Sequence, residues 1–259
     1  MLKYLAGLLA GGILAAVAAT PALATHSWNG YHWARTANPF TVSVVDSMTT
    51  EAPAWDTHLG VAVGDWTASS VLDVGLEPGD TSQKTRRRCP AVSGKVRACN
   101  AEYGQNGWLG LATISVSGKH ITQGTAKMND SYFNTPTYNY PYKKQHVVCQ
   151  EIGHDWGLGH QSETGEDLGT CMDYARSLDN EHPDRHDYEQ LESDYSHLDS
   201  TSTLAGSGVS PGLAGSEHAQ PRLVERDDRI TNSVITEHFA DGTIRITHIF
   251  WAIEERGRR

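Results

Sequence analysis

Apolar and polar positions alternate over Thr41-Val42-Ser43-Val44-Val45-Asp46, the two-residue period of a half-buried strand. Next come Trp55, Leu59, Ala62, Val63 and Trp66, spaced as one helical face, with Pro53 where a first turn tolerates it. Val71 to Leu76, Trp108 to Val116 and Ile121 to Met128 predict further strands, the Trp108 segment most clearly because of its β-branched and aromatic content. Pro183 opens a second helix, with Tyr188, Leu191, Tyr195 and Leu198 on one face. Near the end, Val234 to Phe239 and Thr243 to Trp251 alternate around Asp241-Gly242, a pair that favours a tight hairpin turn. This order predicts an α+β fold, a twisted mixed sheet with helices and a C-terminal β-hairpin.

At 259 residues the chain can hold one sizeable domain with appendages. Residues 1–24 carry Lys3, an apolar run to Ala19 and Ala22-Leu23-Ala24, the three regions of a secretory signal, so a mature protein starting at Thr25 is expected outside the cell. The apolar run falls short of the roughly 20 residues of a spanning helix, and no membrane association is expected after cleavage. The main domain is expected over 25–198, a Ser-, Gly-, Ala- and Thr-rich linker over 199–220, and the hairpin extension over 221–259. Within that linker Gly208-Val209-Ser210-Pro211-Gly212 fits G-x-S-x-G, but it lacks the strand and helix that a nucleophile elbow needs.

Export changes how the four cysteines read. In an oxidising compartment they predict two disulfides, with three possible connectivities; Cys89 with Cys99 would close a local basic loop. The formal charge of −10 and the brevity of the basic run Lys84, Arg86, Arg87 and Arg88 argue against a nucleic-acid partner and for a solvated loop. A monomer is expected.

The chemistry concentrates in Gln150-Glu151-Ile152-Gly153-His154-Asp155-Trp156-Gly157-Leu158-Gly159-His160. On a helix, Gln150 and His154 lie one turn apart, roughly 6 Å between Cβ atoms, and can reach one ion from the same face. Glu151 is turned by about 100° around the axis, near enough to act on a water beside that ion. Gly157 can adopt the left-handed conformation that ends a helix, and the turn then carries His160 back toward the same point. His146 lies one turn before Gln150 and two turns from His154, and reads as a surface or capping histidine.

This stretch resembles the metzincin signature H-E-x-x-H-x-x-G-x-x-H with glutamine in place of the first histidine, and within that family is most similar to matrixin-like secreted bacterial peptidases. Cys171-Met172-Asp173-Tyr174 follows, resembling the family's Met-turn. The resemblance implies a zinc metalloendopeptidase acting on a polypeptide. Gln150, His154 and His160 would hold Zn2+, Glu151 would be the general acid/base, Tyr174 would approach the metal or the oxyanion, and Met172 would pack beneath. It makes Cys149 with Cys171 attractive, since that bond would tie the metal-binding helix to the Met-turn. It implies that an edge strand, read here as Trp108, Leu109, Gly110, Leu111 and Ala112, pairs with extended substrate; an interior strand is the alternative reading of the same residues. The acidic loop of Glu163, Glu166 and Asp167 could bind Ca2+, with a solvated loop as the other reading. Latency through a cysteine-switch propeptide is not expected. The competing expectation is a non-catalytic relative, a secreted zinc-binding or protein-binding module; Glu151 argues for catalysis, because a binding scaffold has no chemical need of it.

Overall fold

A computed structural model describes residues 26–50, 54–175, 180–206, 220–229 and 232–252. The signal segment 1–24, Pro53, the G-x-S-x-G match and the central part of the linker lie outside these residues. In chain order the strands and helices are β1 His32–Trp33, β2 Phe40–Ser47, α1 Trp55–Thr67, β3 Leu72–Pro78, α2 Gln83–Arg88, β4 Val96–Ala101, β5 Trp108–Ser117 and β6 His120–Asn129. They continue with α3 Asp130–Phe133, α4 Pro141–Asp155, α5 Arg185–Asp194, β7 Leu223–Asp228, β8 Asn232–His238 and β9 Thr243–Trp251.

Among the described residues, nine strands form one mixed sheet of an α+β fold, ordered β3-β2-β4-β6-β5-β9-β8-β7 with β1 beside β6. The first half is parallel (β3, β2, β4 and β6, with β1), whereas β5, β9, β8 and β7 are successively antiparallel. Helices α1 and α4 pack on each other, α1 against β2 and β3 and α4 against β5, β6 and β9. The five apolar positions that predicted α1 are its buried residues. Helix α4 begins with Pro141 at its first position and is buried from Lys144 to Asp155. Residues of such mixed polarity belong inside only where they have polar partners or chemistry to perform. Both disulfides join as expected, Cys89 to Cys99 and Cys149 to Cys171, the second fixing α4 to the Met172 loop.

Three expectations are corrected here. Leu198 does not close the face of α5: the helix ends at Asp194, and Leu198 is exposed. Residues 199–206 are anchored, since Asp199 N donates to Arg35 O, Thr203 N to Ala34 O and Ala205 N to Gly94 O. Their backbone donors are satisfied by the body, so composition alone misreads them as linker. The C-terminal segment forms three strands, and β9 pairs with β5 over the register Trp108↔Trp251 to Ser117↔Thr243. Strand β5 is therefore interior, and Trp108 to Ala112 do not form a free edge. The sheet ends instead at β7, whose exposed Glu225, Arg226, Asp227 and Asp228 give the outer edge charges that discourage further pairing. Among the described residues, no helix is long and apolar enough to cross a membrane.

Candidate metal centre

Helix α4 is followed by Trp156 and then by Gly157 at φ +93, and a Cβ on Gly157 would stand 2.0 Å from Tyr31 O. Only glycine fits both the left-handed backbone and that close approach. The chain turns there and brings His160 beside His154, their ring centroids 4.5 Å apart. A third imidazole arrives from β9. His248 stacks on His154 at 4.0 Å and lies 5.1 Å from His160. All three are buried, and their ligand nitrogens lie within 4.8 Å of one another, so the group could hold a metal ion.

The state of each ring fits that use. His154 Nδ1 bonds to Leu158 O at 2.8 Å, which makes this nitrogen the donor and leaves Nε2 with its lone pair. His160 Nδ1 meets Glu163 Oε1 at 3.3 Å and the Tyr174 hydroxyl at 3.0 Å. An ionised carboxylate only accepts, so Nδ1 carries the hydrogen and the partnerless Nε2 is the ligand atom. Neither nitrogen of His248 has a protein partner. Burial, followed by the neighbouring histidines, lowers the pKa of His154 and of His248 well below the usual imidazole range, which favours the neutral form that binds metals. Ring nitrogens converging from three segments, those of His160 and His248 buried without a partner, are the fit that a metal ion requires.

Glu151 is fully buried, with neither carboxylate oxygen hydrogen-bonded by protein. Its carboxylate lies against Gly110 of β5, where a Cβ would come within 2.2 Å of Oε1. Burial first, and the Asp155 charge second, raise its pKa well above the ordinary carboxylate range. A carboxyl of that kind holds a proton more readily than an ordinary one.

Gln150 anchors the Cys171–Asp173 loop. Its Nε2 donates to Cys171 O at 2.8 Å and to Asp173 O at 2.7 Å, while Oε1 is buried without a partner. Two carbonyl acceptors fix which end of the amide is nitrogen. His146 is buried, not a surface residue as its position suggested: it bonds to Asp173 O at 3.1 Å and packs by Phe250. Met172 is fully buried against Gly153, where a Cβ would come within 2.5 Å of Sδ. Tyr174 is drawn to His160 Nδ1, on the ring nitrogen away from the ligand position, so it buttresses a histidine where direct approach to the metal had been expected. The acidic loop is divided: Glu163 is bound to His160, to Asn232 and to Arg229, and neither converging ligand group among the described residues includes Glu166 or Asp167.

Sequence reasoning missed His248, together with Asn232 and Arg229, which reach Glu163 from the same C-terminal hairpin. The available signal was that His248 shares the face of β9 that also carries buried Ile246 and Phe250. An imidazole in an otherwise apolar stripe requires a partner. An open cavity of about 570 Å³ adjoins the centre, lined by Trp28, His160, Glu163, Arg229, Thr236 and His248 among others.

No family of known sequences matches the chain, and no curated protein matches it. Eight solved chains are similar to it in structure. One is the structure of myroilysin, at 11% identity and a TM-score of 0.38, covering 66% of this chain and 98% of that chain.

Proposed function

We propose that the protein is a secreted zinc-dependent metalloendopeptidase whose C-terminal hairpin closes the site. The observation that carries this reading is the convergence of His154, His160 and His248 around the end of α4, the helix that also carries buried Glu151. The three imidazoles would hold zinc in the closed form; with β9 displaced, His154 and His160 would keep it, and it would supply polarisation of a peptide carbonyl and acidification of water. Glu151 would be the general acid/base, accepting a proton from water and passing it to the leaving amine, a task suited to a carboxyl with a raised pKa. Tyr174 and Glu163 hold His160 in the tautomer that offers Nε2. Gln150 fixes the Met-turn through its nitrogen; with the hairpin displaced, its partnerless Oε1 is the remaining donor from α4.

Substrate entry follows from the sheet. An extended peptide adds to a strand edge through main-chain hydrogen bonds, and on β5 that edge is held by β9, with Ala112 directly opposite His248. Hydrolysis of a polypeptide therefore requires β9 to leave β5. The same pairing supports a second reading, a closed zinc-binding module without turnover. A cross-strand lock separates the two. Thr113 and Thr247 are register partners with hydroxyls 3.0 Å apart, so the double variant Thr113→Cys/Thr247→Cys can be bonded or released. Peptide-library hydrolysis should be at least about tenfold lower in the bonded form than in the released form, with the parent under the same mild reductant as control. Equal hydrolysis in both forms would remove β5 as the substrate strand. Absence of hydrolysis in every form would leave the binding module.

A further inference from the structure

We propose that His32, His197 and Asp199 form a second site for a divalent ion of the zinc class, with His120 as a positioning residue. His32 lies in β1, and His197 and Asp199 lie in the segment after α5. Their ligand atoms form a closed triangle: His32 Nε2 is 3.1 Å from His197 Nε2 and 3.5 Å from Asp199 Oδ1, and the third side, from His197 Nε2 to Asp199 Oδ1, is 3.7 Å. A point about 2.0 Å from all three atoms exists inside it, which matches the bonds that zinc makes to imidazole and carboxylate.

The three atoms present acceptors to one point. His32 Nδ1 is committed to Gly30 O at 2.8 Å, so in the neutral ring Nε2 carries a lone pair. That lone pair confronts Asp199 Oδ1, also an acceptor. A hydrogen on His197 Nε2 can serve His32 and one on His120 Nε2 can serve Asp199, yet the two acceptors still face each other at 3.5 Å, whereas a cation at the centre would engage all three atoms at once. The surrounding groups act as orienters of ligands do. Asp199 Oδ2 accepts from Arg35 Nη1 at 2.8 Å and from Arg35 N at 3.2 Å, which leaves Oδ1 for the ion. His120 Nε2 lies 3.2 Å from that Oδ1 and can donate to it. With three protein ligands, water is the fourth. The ion would staple β1 to the chain beyond α5, next to Trp33, whose backbone N donates to the Tyr195 hydroxyl and whose Nε1 donates to Asp155 O.

The test is zinc stoichiometry on the full chain, by elemental analysis after dialysis against micromolar Zn2+, with Co2+ absorbance as a second readout. The His197 side chain is about half exposed, so His197→Ala should fold, as circular dichroism would verify. The parent should hold two equivalents and His197→Ala one, while His154→Ala should lose a different equivalent and keep the one that depends on His197. Two equivalents in His197→Ala, or a parent whose bound zinc is unaffected by this substitution, would overturn the proposal. Loss of zinc in His197→Ala but not in His154→Ala would uphold it while removing the centre on α4.

Discussion

His248 of β9 stacks on His154 of α4, their ring centroids 4.0 Å apart and their planes 19° from parallel. The last strand of the sheet and the long helix thus contribute to one buried site, although their residues are far apart in the chain. The hairpin is part of the centre it covers.

Glu151→Ala should retain the metal, since none of the three imidazoles depends on this carboxylate for a hydrogen bond. Peptide hydrolysis, read in the released form of the cross-strand variant, should fall by a factor of about 10² to 10⁴, the usual contribution of a placed proton-transfer group. Turnover near that of the unsubstituted form would remove Glu151 from the chemistry.

Gly110 and Gly153 make room for the site. A Cβ on Gly110 would meet Glu151 Oε1 at 2.2 Å and Val147 Cγ1 at 2.7 Å; on Gly153 it would meet Met172 Sδ at 2.5 Å and the Trp66 ring at 2.7 Å. Both Gly→Ala variants should lose about 1–3 kcal/mol in urea denaturation, the usual cost of overpacking. Unchanged midpoints would mean that Glu151 and Met172 are free to shift.

Breaking the bond between Cys149 and Cys171 should reduce stability by about 3 kcal/mol for a loop of this length in the chain-entropy model. The double Cys→Ser variant, compared with the parent by denaturant melts, measures it. A loss much below 1 kcal/mol would indicate that the Gln150 bonds suffice to hold the turn.

Much of the scaffold was legible because its signals are local. The helical spacing of Trp55, Leu59, Ala62, Val63 and Trp66, the alternation in β5 and β9, and Gly157 at a left-handed turn each depend on neighbours within a few residues. Strand order is not local. The sequence reading carried both an edge and an interior position for Trp108 to Ala112, and β9, more than a hundred residues later, decides it. His146 was misread for a related reason: helical spacing tells how far it stands from His154, but not that the carbonyl of Asp173 waits beside it. Residues 199–206 have the composition of a linker, and their attachment to Arg35, Ala34 and Gly94 through backbone groups and the Asp199 and Thr203 side chains depends on distant partners that composition does not record.

Gln150→Ala should destabilise the fold by about 1–3 kcal/mol, chiefly through the Cys171 carbonyl left without this donor, since Asp173 O keeps His146 Nε2. Equilibrium unfolding of this variant, beside Gln150→Glu, reads the effect. Wild-type stability in both would show that the amide does not hold the turn.

The most direct test of the central claim is a competition titration against a zinc chelator, following the equivalent bound at α4 in His154→Ala, His248→Ala and Gln150→Ala. Loss of an imidazole ligand should weaken binding far more than loss of a neutral amide. The predicted result is that His248→Ala loses affinity on the scale of His154→Ala while Gln150→Ala stays near the parent. Parent-like affinity in His248→Ala, with the loss falling on Gln150→Ala, would contradict it and return the third ligand to α4.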